Sequence, residues 1–409
     1  METTFLQLAF LLVVILVSAK MAGYLSIRLN QPAVLGEILI GIILGPTVLN
    51  ILHLPFIDAS LKHMIHDLSE MGVLLLMFLA GLELHFRELS HNLRVATLAG
   101  TLGVVFPVLG GWGIGRLFGL ENQAAIFLGL IPAATSVSIS AQTLMELGHL
   151  RSRVGLGLLG AAVLDDILAI LLLSLFLALI DGSGNWLSLL IIGLRMFAFL
   201  ALAFGFGLWI LPRWTKRIER LPISQGMLAF ALSIMLTFSL AADVIGHLSS
   251  ITGAFLAGLL FARTPQREKI VAGVHALSYG LFVPIFFINI GLSVNARAIK
   301  PEMLWLALVM IITAVFSKWL GAGLGGYLGG FSRLESLQLG AGMISRGEVG
   351  LIIANVGIPY HLVTDEEFAV VVLMVLVTTL ITPVILRALF REPKETVLLA
   401  AADPKKENK

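Results

Sequence analysis

Two adjacent carboxylates, Asp165 and Asp166, interrupt AAVLDDILAILLLSLFLAL at 161–179, a stretch in which nearly every other residue is apolar. An ionisable group near the centre of a bilayer costs about 2.5–3.5 kcal/mol on insertion scales, so such groups mark ion or proton pathways by default. Neighbouring residues on a helix point about 100° apart. The two acids therefore cannot address one spot: one can face an ion path while the other meets a partner. Carboxylate oxygens suit hard cations such as sodium, and a desolvated carboxylate can hold a proton instead. A group that takes either is the chemical core of exchange, and Asp165 and Asp166 are the candidate sodium and proton ligands.

The remaining deeply placed polar residues supply partners. Lys318, in the middle of TAVFSKWLGAG, is the plausible intramembrane ammonium of the second half of the chain. It can pair with Asp165 when the site is empty and release it when a cation or proton arrives. One lysine cannot neutralise both acids, so a buried ion pair alone does not account for the motif. LIPAATSVSISAQTL at 130–144 is a poor continuous helix. Pro132 removes a backbone donor, and Thr135, Ser136 and Ser138 offer hydroxyls. In MISRGEVGLIIANVG at 343–357, Ser345 to Glu348 break the apolar run. Interrupted helices at corresponding positions of two halves point to a transporter binding site. Their opposed half-helix ends need compensating charge, which Arg346 and Glu348 can provide. Gln142 and Asn355 are expected near the crossing, Glu83 as a cap on the third helix, and Asp243 near a membrane surface.

The elements that must hold these residues are membrane spans. Of 409 residues 58% are hydrophobic and 13% charged, with a mean hydropathy of +0.98. A soluble domain carries about 25% charge. Apolar segments of roughly 20 residues, each enough to span a bilayer, recur along the chain. Thirteen are expected, at 4–28, 33–50, 67–86, 93–118, 122–148, 153–180, 187–211, 226–246, 249–263, 276–296, 302–329, 335–360 and 366–390. Within hydrocarbon the backbone must satisfy its own polar groups, so an all-α polytopic membrane protein follows. Arg28, Arg151, Arg153, the cluster Arg213–Arg220 and the segment 391–409 fall on one side of such a topology, whereas few basic residues, among them Lys62 and Arg116, fall on the other. The asymmetry places the N-terminus outside and the C-terminus in the cytoplasm. A net charge of +2 is then loop charge that sets orientation, not a nucleic-acid surface. Without cysteine there is no thiol chemistry or disulfide, the nine histidines lack metal-ligand spacing, and the glycine runs lack the Lys-Ser or Lys-Thr of a phosphate loop.

An internal repeat organises the spans. GEILIGIILG at 36–45 resembles GAFLAGLLFA at 253–262, FLAGLEL at 78–84 resembles INIGLSV at 288–294, and FPVLGGWGIGRLFG at 106–119 resembles the segment from Phe316. Repeat one is 33–180, linker helices fill 187–246, and repeat two is 249–390. Equivalent spans, such as the second and the ninth, are seven apart along the chain, and that odd spacing inverts the second repeat, as in secondary transporters. An intramembrane aspartyl protease needs its acids on separate helices, and a prenyl transferase needs a longer aspartate-rich segment, so an enzyme is not expected.

These motifs, together with VPIFFINIGL (283–292), FSKWLGAGLG (316–325) and ISRGEVGLIIA (344–354), resemble the monovalent cation:proton antiporter-2 family over about residues 4–390. Within it the chain is more similar to NapA-type sodium/proton antiporters than to Kef-type potassium systems, which generally carry Gln-Asp where this chain has Asp165-Asp166. The resemblance implies two crossed broken helices, a dimerisation bundle and a core bundle that moves against it as an elevator. It implies a homodimer in the plasma (inner) membrane, no cofactor beyond the transported Na+ or K+ and H+, and a short cytoplasmic tail at 391–409. By the same resemblance Asp166 is the main carrier, Asp165 the partner of Lys318, Thr135 and Ser136 the unwound segment beside the site, and Arg346 and Glu348 the charged pair of the second break. Sodium (with lithium) exchange for protons, electrogenic in sign, is the implied function; K+/H+ exchange of the Kef type is the alternative.

Overall fold

The computed structural model describes residues 4–83, 92–180, 186–295, 297 and 301–390; the expected tail at 391–409 lies outside them. The regular elements among the described residues are helices. In chain order they are α1 (Thr4–Arg28), α2 (Ala33–Leu44), α3 (Ser60–Glu83), α4 (Leu93–Leu117), α5 (Asn122–Leu130), α6 (Val137–Glu146), α7 (Arg153–Ile180), α8 (Trp186–Gly205), α9 (Leu211–Ile218), α10 (Gly226–Val244), α11 (Ser250–Phe261), α12 (Arg267–Leu277), α13 (Val283–Leu292), α14 (Leu304–Gly329), α15 (Arg333–Gly342), α16 (Glu348–Gly357) and α17 (Asp365–Leu389). Among the described residues ten helical stretches are long and apolar enough to cross a membrane, and α2 and α11 are shorter apolar helices.

Several boundaries differ from the hydropathy reading. The expected span at 67–86 begins at Ser60, and that at 276–296 begins at Arg267 and runs through a π-helical turn at Ser278–Phe282. The expected 187–211 span continues through another π turn, Phe206–Ile210, into the basic α9. Polar turns at a membrane edge keep their helical hydrogen bonds, which hydropathy does not register. The opposite error affects 33–50, because α2 ends at Leu44 and Gly45 is extended.

The helices pack as two groups. α1–α3 and α10–α13 form a panel; α4–α7 and α14–α17 form a bundle built on the long α4–α14 contact. Lipid tails are as apolar as leucine, so close approach of small residues must hold such helices together. Two crossings in the panel show this. A Cβ on Gly41 of α2 would collide with the Ile288 carbonyl, and one on Gly291 of α13 with the α2 backbone. On the other side a Cβ on Gly81 of α3 would strike the Phe255 carbonyl and one on Gly258 of α11 the Phe78 carbonyl. In the sequence alignment of the halves Gly41 corresponds to Gly258 and Gly81 to Gly291, so each crossing joins one glycine from each half.

Candidate functional site

The bundle contains two interrupted helices that meet at their breaks. α5 ends in a 3-10 turn at Ile131–Ala133, the chain is extended at Ala134 and Ser136, and α6 restarts at Val137. The second break lies between α15 and α16, where the chain leaves the helical conformation at Gly347. The breaks satisfy one another. The Ser136 N–H donates to the Ser345 carbonyl at 2.9 Å, and the Ser345 hydroxyl donates to the Ser136 carbonyl at 2.6 Å. The Ser140 hydroxyl reaches the Gly342 carbonyl. Each interruption frees backbone groups that cost about 1–3 kcal/mol when buried without a partner.

Two fully buried cations close the half-helix ends. The Lys318 ammonium donates to Asp165 Oδ1 at 2.6 Å and to the Ala133 carbonyl at 2.5 Å, at the end of the α5 segment. The Arg346 guanidinium donates to the carbonyls of Met343 at 2.9 Å and Ile344 at 2.7 Å, beyond α15, and to Ala314 of α14 at 2.9 Å. A helix C-terminus carries partial negative charge, so a cation there is stabilising. Sequence reasoning assigned this task to Arg346 and Glu348 and missed it for Lys318. Glu348 is the first residue of α16; its side chain lies outside the described residues.

The two aspartates diverge within α7. Asp165, 0% exposed, faces Lys318, and its Oδ2 is buried with no hydrogen-bond partner among the described residues. Asp166, 6% exposed, faces the panel, where the Thr252 hydroxyl donates to Oδ2 at 3.3 Å. A cavity of about 10 Å³ lies beside it, lined otherwise by apolar residues, among them Met77, Val137 and Phe255. Thr135 is buried with Oγ1 unpartnered among the described residues, and Ser136 Oγ lies 3.1 Å from Ser138 Oγ. The break and the acid pair therefore belong to one buried region joined by Ala133, Lys318 and Asp165.

Larger cavities approach from both ends of the helices. One, of about 140 Å³, runs from His66, Glu70 and Asn289 to Arg346 and Thr379. The other, of about 370 Å³, is lined by Lys20, Glu37, Glu146, Tyr279 and Arg387. At the second, a hydrogen-bond chain crosses from panel to bundle. Lys20 donates to the Tyr279 carbonyl at 2.8 Å, and the Tyr279 hydroxyl donates to Gln142 at 2.8 Å. Gln142 donates to Glu146 at 2.9 Å, and Glu146 accepts the Ala33 N–H at 2.7 Å. Gln142 thus belongs to this chain. Asn355 does not reach the crossing: it is exposed near the end of α16. Glu83 is the last described residue of α3, and the segment that would show whether it caps the helix lies outside the described residues. Asp243 is exposed near the end of α10. Thr252 escaped sequence reasoning, because one of three hydroxyls in SSITGAFLAG carries no periodic or charge signal that singles it out.

Residues 13–392 match the family described as "Sodium/hydrogen exchanger, transmembrane". The chain is 40% identical over 382 residues to the probable Na(+)/H(+) antiporter GerT of Bacillus cereus, covering 93% of this chain and 99% of that one. It is 38% identical over 383 residues to the Na(+)/H(+)-K(+) antiporter GerN of Bacillus cereus, with 93% and 96% covered. Its fold matches that of the sodium proton antiporter MjNhaP1 from Methanocaldococcus jannaschii, with a TM-score of 0.65 at 19% identity, covering 94% of this chain and 97% of that one.

Proposed function

The chain belongs to the sodium/hydrogen exchanger family and exchanges sodium for protons across a membrane, and from that premise we propose that Asp166 is the carboxylate on which the two ions alternate. The observation that carries this assignment is the unequal treatment of the two acids. Asp165 is held at 2.6 Å by the Lys318 ammonium, while Asp166 sits beside the cavity at the panel–bundle boundary. A proton on Asp166 removes its charge and its hold on a cation; a cation bound there excludes the proton. Competition for one group couples the two fluxes without any further device. Thr135 and Ser136 supply neutral oxygens beside the first break, and Arg346 with Glu348 balances the second.

In this reading the bundle moves as an elevator against the panel, carrying Asp166 between the cavities that approach from either end. The packing of the helices into two groups supports it, as do the glycine crossings, each joining one glycine from either half, that hold the panel together. The halves 33–180 and 249–390 are the inverted repeats, and α2, α11 and the interrupted α15–α16 complete thirteen crossings. The protein is a plasma-membrane homodimer with its N-terminus outside. Release of Lys318 from Asp165 during the cycle adds a second titrating group, which makes exchange electrogenic.

Potassium is the second reading, favoured by the similarity to GerN, an Na(+)/H(+)-K(+) antiporter by name. Purified protein in proteoliposomes, assayed with sodium, lithium and potassium on equal footing, separates the two. Asp166→Asn should abolish exchange with all three. Sodium movement against a pH gradient by that variant would show that the carrier is elsewhere.

A further inference from the structure

The Thr252–Asp166 bond joins a panel helix to a bundle carboxylate, and so differs from the common threonine contact in this chain. Thr143, Thr313, Thr378 and Thr382 each return the hydroxyl to the carbonyl four residues earlier on the same helix, the usual disposition within apolar helices. Thr252 instead donates to a carboxylate 86 residues away, on a helix of the other group. It is 2% exposed and is the third residue of α11. The bond therefore comes from a helix N-terminal turn, where the dipole favours negative charge.

We propose that Thr252 is a positioning residue that docks the cation-free Asp166 carboxylate against the panel, so that sodium binds in competition with the Thr252 hydroxyl. This rests on Asp166 being the carrier. The argument is one of space and of charge. The cavity beside the carboxylate is about 10 Å³, at the lower limit for a single water. Its other lining residues are apolar and offer a cation nothing. A sodium ion approaching Oδ2 meets the positive end of the hydroxyl dipole on the same oxygen, so the bond must open as the ion arrives. Opening it also frees the bundle from one hold on the panel. Cation binding and release of the carrier helix thereby become one event.

The test uses the full chain in proteoliposomes with sodium as the probe, at one fixed pH. Thr252→Val removes the hydroxyl at nearly constant shape, and Thr252→Ser keeps it. The valine variant is expected to lower the apparent KM for sodium about fivefold, the equivalent of one net hydrogen bond, with a smaller change in maximal rate. The serine variant is expected to stay within about twofold of the parent, since the donor is retained. The melting temperature of purified protein titrated with sodium reads the same affinity without turnover. A raised KM in the valine variant would make the hydroxyl a cation ligand and overturn the proposal, as would no change. If valine does not insert, Thr252→Ala replaces it under the same criteria. Failure of both to fold while serine folds would assign the bond to stability alone and also overturn it. Exchange surviving in Asp166→Asn would instead defeat the carrier assignment, an outcome distinct from any of these.

Discussion

Removing Lys318 and Asp165 singly and together should give strongly non-additive losses. Both side chains are 0% exposed and meet at 2.6 Å. Lys318→Met leaves the Asp165 carboxylate buried beside a break, with neither oxygen served by an ammonium, and removes the donor to the Ala133 carbonyl. Breaking a buried pair from one side costs about 3–5 kcal/mol. Asp165→Leu strands the ammonium with the Ala133 carbonyl, at a cost in the same range. The double variant contains neither charge. Replacement of a whole buried pair by apolar side chains is often neutral or better, which leaves the orphaned Ala133 carbonyl as the main penalty, about 1–3 kcal/mol. The double variant should therefore lose about 1–3 kcal/mol, against a sum of about 6–10 for the singles. Melting of the four purified proteins in one detergent, followed by tryptophan fluorescence, closes the cycle. Additive losses would refute the reasoning, because they would mean that neither side chain needs the other. The double variant retains Asp166, so residual sodium exchange in it would also report how far Lys318 serves transport and how far it serves the fold.

Gly258→Ala should destabilise the protein by about 1–3 kcal/mol through overpacking, although alanine is intrinsically the better helix former; Gly291→Ala should behave alike, and unchanged melting would count against the two crossings. Ser345→Ala removes the donor to the Ser136 carbonyl and should cost about 1–3 kcal/mol and slow exchange, both readable in detergent melts and proteoliposome flux. Lys269 and Gln266 hold the Glu219 carboxyl below its ordinary value of 4.5. Its depressed value means that the contribution is present above 4.5 and disappears as pH falls through the folded value. Glu219→Gln should therefore flatten the acid limb of a melting-temperature profile, and an unaltered limb would exclude that contact.

The membrane character, the acid pair, the lysine and both interruptions were legible because each is a local violation. A charge in an apolar run, or a proline and hydroxyls inside a helix, is costly unless something answers it, and the sequence displays the cost. What answers it is tertiary. Nothing near Lys318 in the chain reveals that its second bond goes to Ala133, 185 residues away. Thr252 and the Lys20–Tyr279–Gln142–Glu146 chain were invisible for the same reason: ordinary polar residues acquire their role from a neighbour on another helix. Asn355 erred in the other direction, because composition located it near an important segment but not on the correct side of its helix. Span edges slipped where amphipathic turns continue a helix into the interface.

The mutual satisfaction of the two breaks also bears on how the protein is made. The Ser136 N–H and carbonyl wait for Ser345, and the Ala133 carbonyl and Asp165 wait for Lys318, all supplied by the half of the chain synthesised later. At about 5–20 residues per second, the first half spends on the order of ten seconds in the bilayer with these groups unanswered. During that interval it is an assembly intermediate that needs water or an insertion factor to shelter its unwound segment. Halves expressed as separate polypeptides should accordingly accumulate only together, each serving as the folding partner that completes the other.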